Sequence, residues 1–224
     1  FAGLELALLA QKRRLLAELR GLSAHHRLKA AGAAAAGGIL APLCLAYGIK
    51  AASAFEVSLL LNLEATATTI IAWLVFKEHV GTRVWASQGF LVAGAAALTL
   101  EAGGAGFSGP GLLIVAACVL WAIDNNLTRE VDEVSPSALA ALKGLAGGTF
   151  NVALAVALGQ GAVGPRAAAG GLAIGAMSYG LSLVLFIAAL RELGSSRAST
   201  YFSAAPLFGA AVSIVLLGER PSAA

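Results

Sequence analysis

Apolar residues in this chain gather into runs of about twenty, separated by short polar stretches. The most informative run is Val57–Phe76, V-S-L-L-L-N-L-E-A-T-A-T-T-I-I-A-W-L-V-F. As a helix it rises roughly 30 Å, the thickness of a bilayer's hydrocarbon core. Ten of its residues are Leu, Ile, Val or Phe, each favouring insertion by about 0.3–0.6 kcal/mol; its one ionisable residue, Glu64, opposes with roughly 3 kcal/mol. The balance predicts a membrane span. The same pattern predicts spans over Ala30–Ile49, Val84–Leu100, Gly111–Thr128, Ser137–Leu158, Ala167–Leu190 and Ala198–Leu217, seven in all. Phe1–Ala10 is apolar but too short to cross. Gln11–Lys29 reads as a polar loop, and Ser135–Pro136 as a helix start with a capping hydroxyl and Pro at the first helical position. Barrel strands are excluded: the runs exceed 9–11 residues and show no period of two.

Composition sharpens this reading. The chain is 58% hydrophobic and 12% charged, against about 25% charged for soluble domains. Cys44 and Cys118 both fall inside apolar runs, as small core residues and not as a disulfide or zinc framework. The three histidines lie in polar segments. With no His in any span, and neither H-E-x-x-H nor G-x-S-x-G present, intramembrane catalysis has no constellation to work with. No metal site or cofactor is expected. No phosphate-cradling G-x-x-x-x-G-K-[ST] loop occurs either, which argues against nucleotide-driven transport.

The cations set an orientation. Counting loops alternately from Gln11–Lys29, one side carries eleven Lys or Arg and the other three, Lys50, Arg166 and Arg220. The positive-inside bias puts the Gln11–Lys29 side in the cytoplasm. A cytoplasmic segment beside anionic lipid explains its basic cluster without nucleic acid.

Val57–Phe76 also has an echo. Shifted by 141 positions it lands on Arg197–Glu219, with Ser58 on Ser199, Asn62 on Ser203 and Glu78 on Glu219. Five spans separate equivalent points, so the second copy crosses in the opposite sense. Inverted repeats place a binding site near the midplane, and rocking of the halves alternates access to it.

Three phrases carry a resemblance: Leu59–Glu64 leading to Ala72–Glu78, Leu120–Arg129, and Ala204–Phe208 running to Leu216–Glu219. Together they resemble the EamA family of the drug/metabolite transporter superfamily. The resemblance implies two five-helix repeats, here residues 1–102 and 103–224. It implies ten helices, of which this chain would lack the first, most of the second and the last. The expected fold is therefore an all-α polytopic membrane bundle with inverted repeats and about seven full spans. Ala65 stands where the second copy has Pro206, so the first copy lacks that kink point.

Glu64 is the sharpest candidate for function, since an ionisable group at mid-membrane marks a functional site by default. It suits a cationic substrate group or a proton; the alternative is a structural hydrogen bond. Ser58, Asn62, Thr66 and Thr69 form a polar stripe at helical spacing, and at about 100° per residue Glu64 points away from it. One of the two sets is expected to face a narrow cavity and the other a neighbouring helix. Asp124 and Lys143 lie at equal depth, roughly 7–9 Å from the same side, and predict a buried ion pair that gates or contacts substrate; separate snorkelling is the alternative. Asn125 and Asn126 add amides at that depth. Tyr201 is a candidate cavity aromatic, whereas Trp121 reads as an interface anchor. Glu78 and Glu219 read as loop-positioning residues.

The function expected is a secondary transporter in the cell membrane, moving small amino-acid- or drug-like metabolites outward by alternating access. The alternative is a structural or assembly subunit that moves nothing. Expected partners are the small-molecule substrate, the bilayer and a second copy in a homodimer, with no nucleic acid.

Overall fold

A computed structural model describes residues 12–52, 54–101, 109–160, 163–205, 208 and 215. Among them all regular structure is helical. The helices are α1 (Lys12–Gly21), α2 (Ala24–Ile49), α3 (Ala54–Leu61), α4 (Leu63–Leu74), α5 (Thr82–Glu101), α6 (Gly109–Arg129), α7 (Pro136–Ala157), α8 (Pro165–Leu193) and α9 (Ser195–Phe202). Five described stretches are long and apolar enough to cross a membrane: α2, Glu56–Leu74 through α3 and α4, α6, α7 and α8. The expected spans over Ala30–Ile49, Gly111–Thr128 and Ala167–Leu190 lie within three of these, and Ser137–Leu158 overruns α7 by one residue. Val84–Leu100 forms α5, which has the length but carries Arg83 and Gln88. Half of Ala198–Leu217, with Glu219, lies outside the described residues, as does Phe1–Ala10.

The predicted loop over Gln11–Lys29 is a correction. Lys12–Gly21 and the start of α2 are helical, leaving only Leu22 and Ser23 between them. Lys, Arg, Leu and Ala are all good helix formers, so charge that ends a membrane span need not end a helix. Ser23 starts α2: its Oγ accepts from the His26 backbone N–H at 3.3 Å. Ser135 does the same for α7, accepting from Ala138 at 3.2 Å with Pro136 at the first position, as the sequence predicts.

Three spans are irregular. α2 contains a π-helical turn over Ala34–Leu40, and α8 one over Gly175–Gly180. The central span breaks at Asn62. There the side-chain amide takes the Ser58 carbonyl at 2.9 Å, and the backbone N–H bonds to Leu59, one residue short of the helical partner, at 3.2 Å. The irregularities recur. Helical segments or π turns begin at 24, 34 and 54 and again at 165, 175 and 195. Each second start follows its counterpart by 141 residues, and Ala54–Leu61 maps onto Ser195–Phe202 end to end.

α6 is the central helix and packs against α2, α3, α4, α8 and α9. Half of its apolar window is buried, against 11% for α8. At one end of the bundle a core of Leu15, Leu22, Ala30, Val131, Val134, Ala138, Leu139, Ala140 and Ile187 forms beneath the connections. Those connections are tied together. Glu133 accepts the Ser23 N–H at 2.8 Å, Glu18 accepts the Ser135 N–H and Oγ at 2.9 and 2.6 Å, and Lys29 pairs with Glu130 at 3.2 Å. The Arg191 guanidinium donates to the Val134 carbonyl at 2.8 Å and also to that of Val131.

Candidate functional site

α6 supplies Trp121, Asp124, Asn125, Asn126 and Thr128, α7 supplies Lys143, and α4 supplies Glu64 and Thr68. The π turn of α2 brings Gly37 against them. A Cβ on Gly37 would lie 1.8 Å from Asp124 Oδ2, so only a glycine leaves room for that carboxylate. Its free carbonyl accepts from Trp121 Nε1 at 3.3 Å.

Asp124 and Lys143 are 5% and 4% exposed. Lys143 Nζ lies 2.7 Å from Asp124 Oδ1 and 2.9 Å from Oδ2, and Thr128 Oγ1 bridges them, donating to Oδ1 at 2.9 Å and lying 3.1 Å from Nζ. Both carboxylate oxygens and the ammonium are thus engaged, which is the condition for two charges to share a dry interior. Beside them Asn125 Nδ2 donates to Glu64 Oε1 at 3.1 Å and lies 3.3 Å from Thr68 Oγ1, while Asn126 bonds the Thr68 and Ala122 carbonyls at 3.1 and 2.9 Å.

This cluster borders two cavities. The larger, about 810 Å³, is lined by Ser58, Asn62, Glu64, Trp121, Ser199, Phe202 and Ser203 among apolar residues. The smaller, about 240 Å³, is lined by Gly37, Glu64, Trp121, Asp124, Asn125, Lys143, Tyr179 and Phe202 among others. Glu64, Trp121 and Phe202 stand on both walls, and the larger volume suits a small organic molecule.

The structure therefore brings Asn62, Glu64, Asp124, Asn125 and Lys143 together. It corrects the separation of Glu64 from the polar stripe: Ser58, Asn62 and Glu64 line one broad cavity, because the break at Asn62 resets the helical register. The stripe itself divides, with Thr66 bonded to Gln88 at 3.0 Å and Thr69 to its own helix at Ala65. Trp121 is no interface anchor; it walls the cavities. Trp73 and Trp85, exposed and edge-to-face at 5.6 Å, are the outward pair. Tyr201 lies apart, 72% exposed, on a separate cleft with Arg83 and Arg197. Sequence reasoning passed over Gly37, Thr68, Thr128 and Phe202. Thr128 stood four residues after Asp124, and Gly37–Gly38 inside an apolar span was the trace of a close approach.

Glu78 does more than shape a loop. Lys77, at φ 55°, and a bond from the Glu78 N–H to Ala72 at 2.9 Å close α4 and turn the carboxylate outward. It then accepts the Ser195 and Ser196 N–H groups at 2.9 and 3.1 Å and the Ser196 hydroxyl, and pairs with Arg129 at 3.0 Å. One acid joins α4, α6 and the first turn of α9. Nearby, Glu133 is held below the ordinary carboxylate range, first by the Ser23 N–H and then by the His26 side chain.

An all-helical bundle with five apolar membrane-length helices and a cavity walled in part by Glu64 defines a polytopic membrane protein. The chain belongs to the EamA-like transporter family, whose model it matches over residues 1–100 and 110–224. It is also 25% identical over 189 residues to a protein of Methanothermobacter thermautotrophicus described as an uncharacterized transporter, covering 81% of this chain and 55% of that protein. The chain thus spans about half the length of the curated relative it matches.

Proposed function

We propose that the protein is a secondary transporter that carries small organic metabolites out of the cell by alternating access across the cell membrane. The observation that carries this reading is the cavity of about 810 Å³ with Glu64 and Asn62 on its wall, set among helices otherwise apolar enough to cross lipid. Polar groups at such depth are costly and are retained where something polar passes.

The coincident starts 141 residues apart support two structural repeats, and the odd number of expected crossings between equivalent points supports their inversion. Seven spans follow once α5 and the run beginning at α9 are counted. The large cavity is lined by Leu45 and Ser58, near the Lys50 turn, whereas the opposite end is closed by the Glu18, Glu78, Glu130 and Glu133 contacts. With the basic side cytoplasmic, this arrangement corresponds to a state closed toward the cytoplasm.

Proteoliposomes loaded with a metabolite extract, with and without the intact protein, provide the test. Time-dependent loss of particular compounds from the protein-containing vesicles is expected. Identical metabolite content in both sets would overturn transport and leave a structural subunit.

A further inference from the structure

We infer that the cavity selects monovalent organic cations with an apolar or aromatic body and no carboxylate of their own; this rests on the transporter reading and narrows its substrate class. The argument is one of charge. Three Asp, Glu or Lys side chains of spans meet at the cluster: Glu64, Asp124 and Lys143. Lys143 contacts both oxygens of Asp124, at 2.7 and 2.9 Å, so these two cancel. Glu64 receives only the neutral amide of Asn125, at 3.1 Å, and no cation pairs with it among the described residues. Glu64 is thus the acid of the cluster that stands on the wall of both cavities without a cationic partner among the described residues. A cationic group placed there makes a direct charge-assisted contact with the ionised form of Glu64.

The surroundings set the rest of the ligand. Leu45, Leu59, Leu61 and Ala65 make the larger wall apolar, and Trp121 and Phe202 stand on both walls beside Glu64. Aromatic faces near a carboxylate favour a cation further. A zwitterion such as an amino acid brings a carboxylate that meets no free cationic side chain on either cavity wall. Lys143 is the cation at hand, and it is 4% exposed and committed to Asp124. An anion meets Glu64 with nothing to offset the repulsion. The cavity therefore accepts an amine or quaternary ammonium and disfavours amino acids.

Four compounds sharing a phenylethyl-like body isolate the charge: phenethylamine, 2-phenylethanol, phenylalanine and phenylacetate. Their binding to the intact protein in nanodiscs is measured by calorimetry and tryptophan fluorescence, with flux followed separately in proteoliposomes. Phenethylamine is expected to bind at least about tenfold more tightly than the other three, a difference of about 1.4 kcal/mol. Glu64→Gln removes that preference while leaving 2-phenylethanol unchanged, and Glu64→Asp retains part of it. Phenylalanine or phenylacetate binding as well as phenethylamine, a preference unchanged in Glu64→Gln, or binding of none of the four overturns the inference. Selective binding of phenethylamine without flux of any compound supports the inference about the cavity and counts against transport instead. Flux that ignores charge does the reverse. The ranking on the unmodified protein decides the matter should Glu64→Gln fail to fold.

Discussion

The Asp124–Lys143 pair makes the most demanding prediction, because its two halves should matter only together. Lys143→Met leaves the Asp124 carboxylate, 5% exposed, with Thr128 as its remaining donor. Asp124→Asn leaves an ammonium 4% exposed without a counter-charge. Removing one member of a buried pair costs about 3–5 kcal/mol, because the survivor's desolvation is no longer compensated. Removing both discards the desolvation along with the attraction, so Asp124→Asn/Lys143→Met should cost no more than about 2 kcal/mol, chiefly packing. Unfolding can be read with a fluorogenic thiol dye in a Cys44→Ala background. Cys118 is fully buried and its Sγ contacts the Leu60 carbonyl at 3.3 Å, so the dye reports opening of the bundle. At about 2–4 °C per kcal/mol for a chain this size, each single variant should melt about 6–20 °C lower and the double variant no more than about 8 °C lower. Additive single effects, with a coupling under about 0.5 kcal/mol, would refute the claim that the pair is one unit.

Three further outcomes follow. Gly37→Ala puts a methyl group 1.8 Å from Asp124 Oδ2, so a loss of about 1–3 kcal/mol is expected from overpacking; the same dye assay measures it, and unchanged melting counts against the contact. Glu78→Gln weakens the bonds to Ser195 and Ser196 and the ion pair with Arg129; losing a charged cap should cost about 1–2 kcal/mol and raise hydrogen exchange at Ser195–Ser199, and unchanged exchange there refutes the capping role. The depressed carboxyl of Glu133 predicts a pH dependence. A lowered folded-state value contributes stability that is present above the ordinary 4.5 and is lost as pH falls through the folded value. Wild type should therefore melt above Glu133→Gln at neutral pH and converge with it in acid; a gap independent of pH contradicts this.

The bundle was legible because hydropathy is a one-dimensional signal: twenty apolar residues are visible whatever they pack against. The same logic exposed Glu64, Asp124 and Lys143, since a charge in such a run has few places to go, and equal depth on consecutive helices was enough to pair two of them. What sequence periodicity missed has one physical source. It assumes an unbroken helix, and the chain breaks it. The Asn62 side chain competes with its own backbone for the Ser58 carbonyl, a choice invisible in an apolar pattern. That break joins Glu64 to Ser58 and Asn62. Trp121 was misread for a related reason: nearness to a span end says nothing of which face a residue takes, and its partner, the Gly37 carbonyl, exists only because α2 is not a regular helix there.

The placement of irregular backbone locates the cavity independently of charge. Lipid offers no hydrogen bonds, so departures from helical geometry within a span are tolerated only inside protein or against a polar space. The described spans depart from it at the π turns and at the break after α3, and the end of α9 supplies a matching break. Gly37 and Gly38 from the first π turn and Tyr179 from the second line the smaller cavity. Asn62 at one break and Ser203 at the other line the larger, and each side chain caps its own helix, Asn62 on Ser58 and Ser203 on Thr200 at 2.7 Å. Paired positions 141 residues apart thus line the same cavity in each case, Gly38 with Tyr179 and Asn62 with Ser203. Segments with looser hydrogen bonding are also where a helix bends at least cost. Motion that alternates access would concentrate at these four points, leaving α6 and its Asp124–Lys143 pair as the fixed element around which they move.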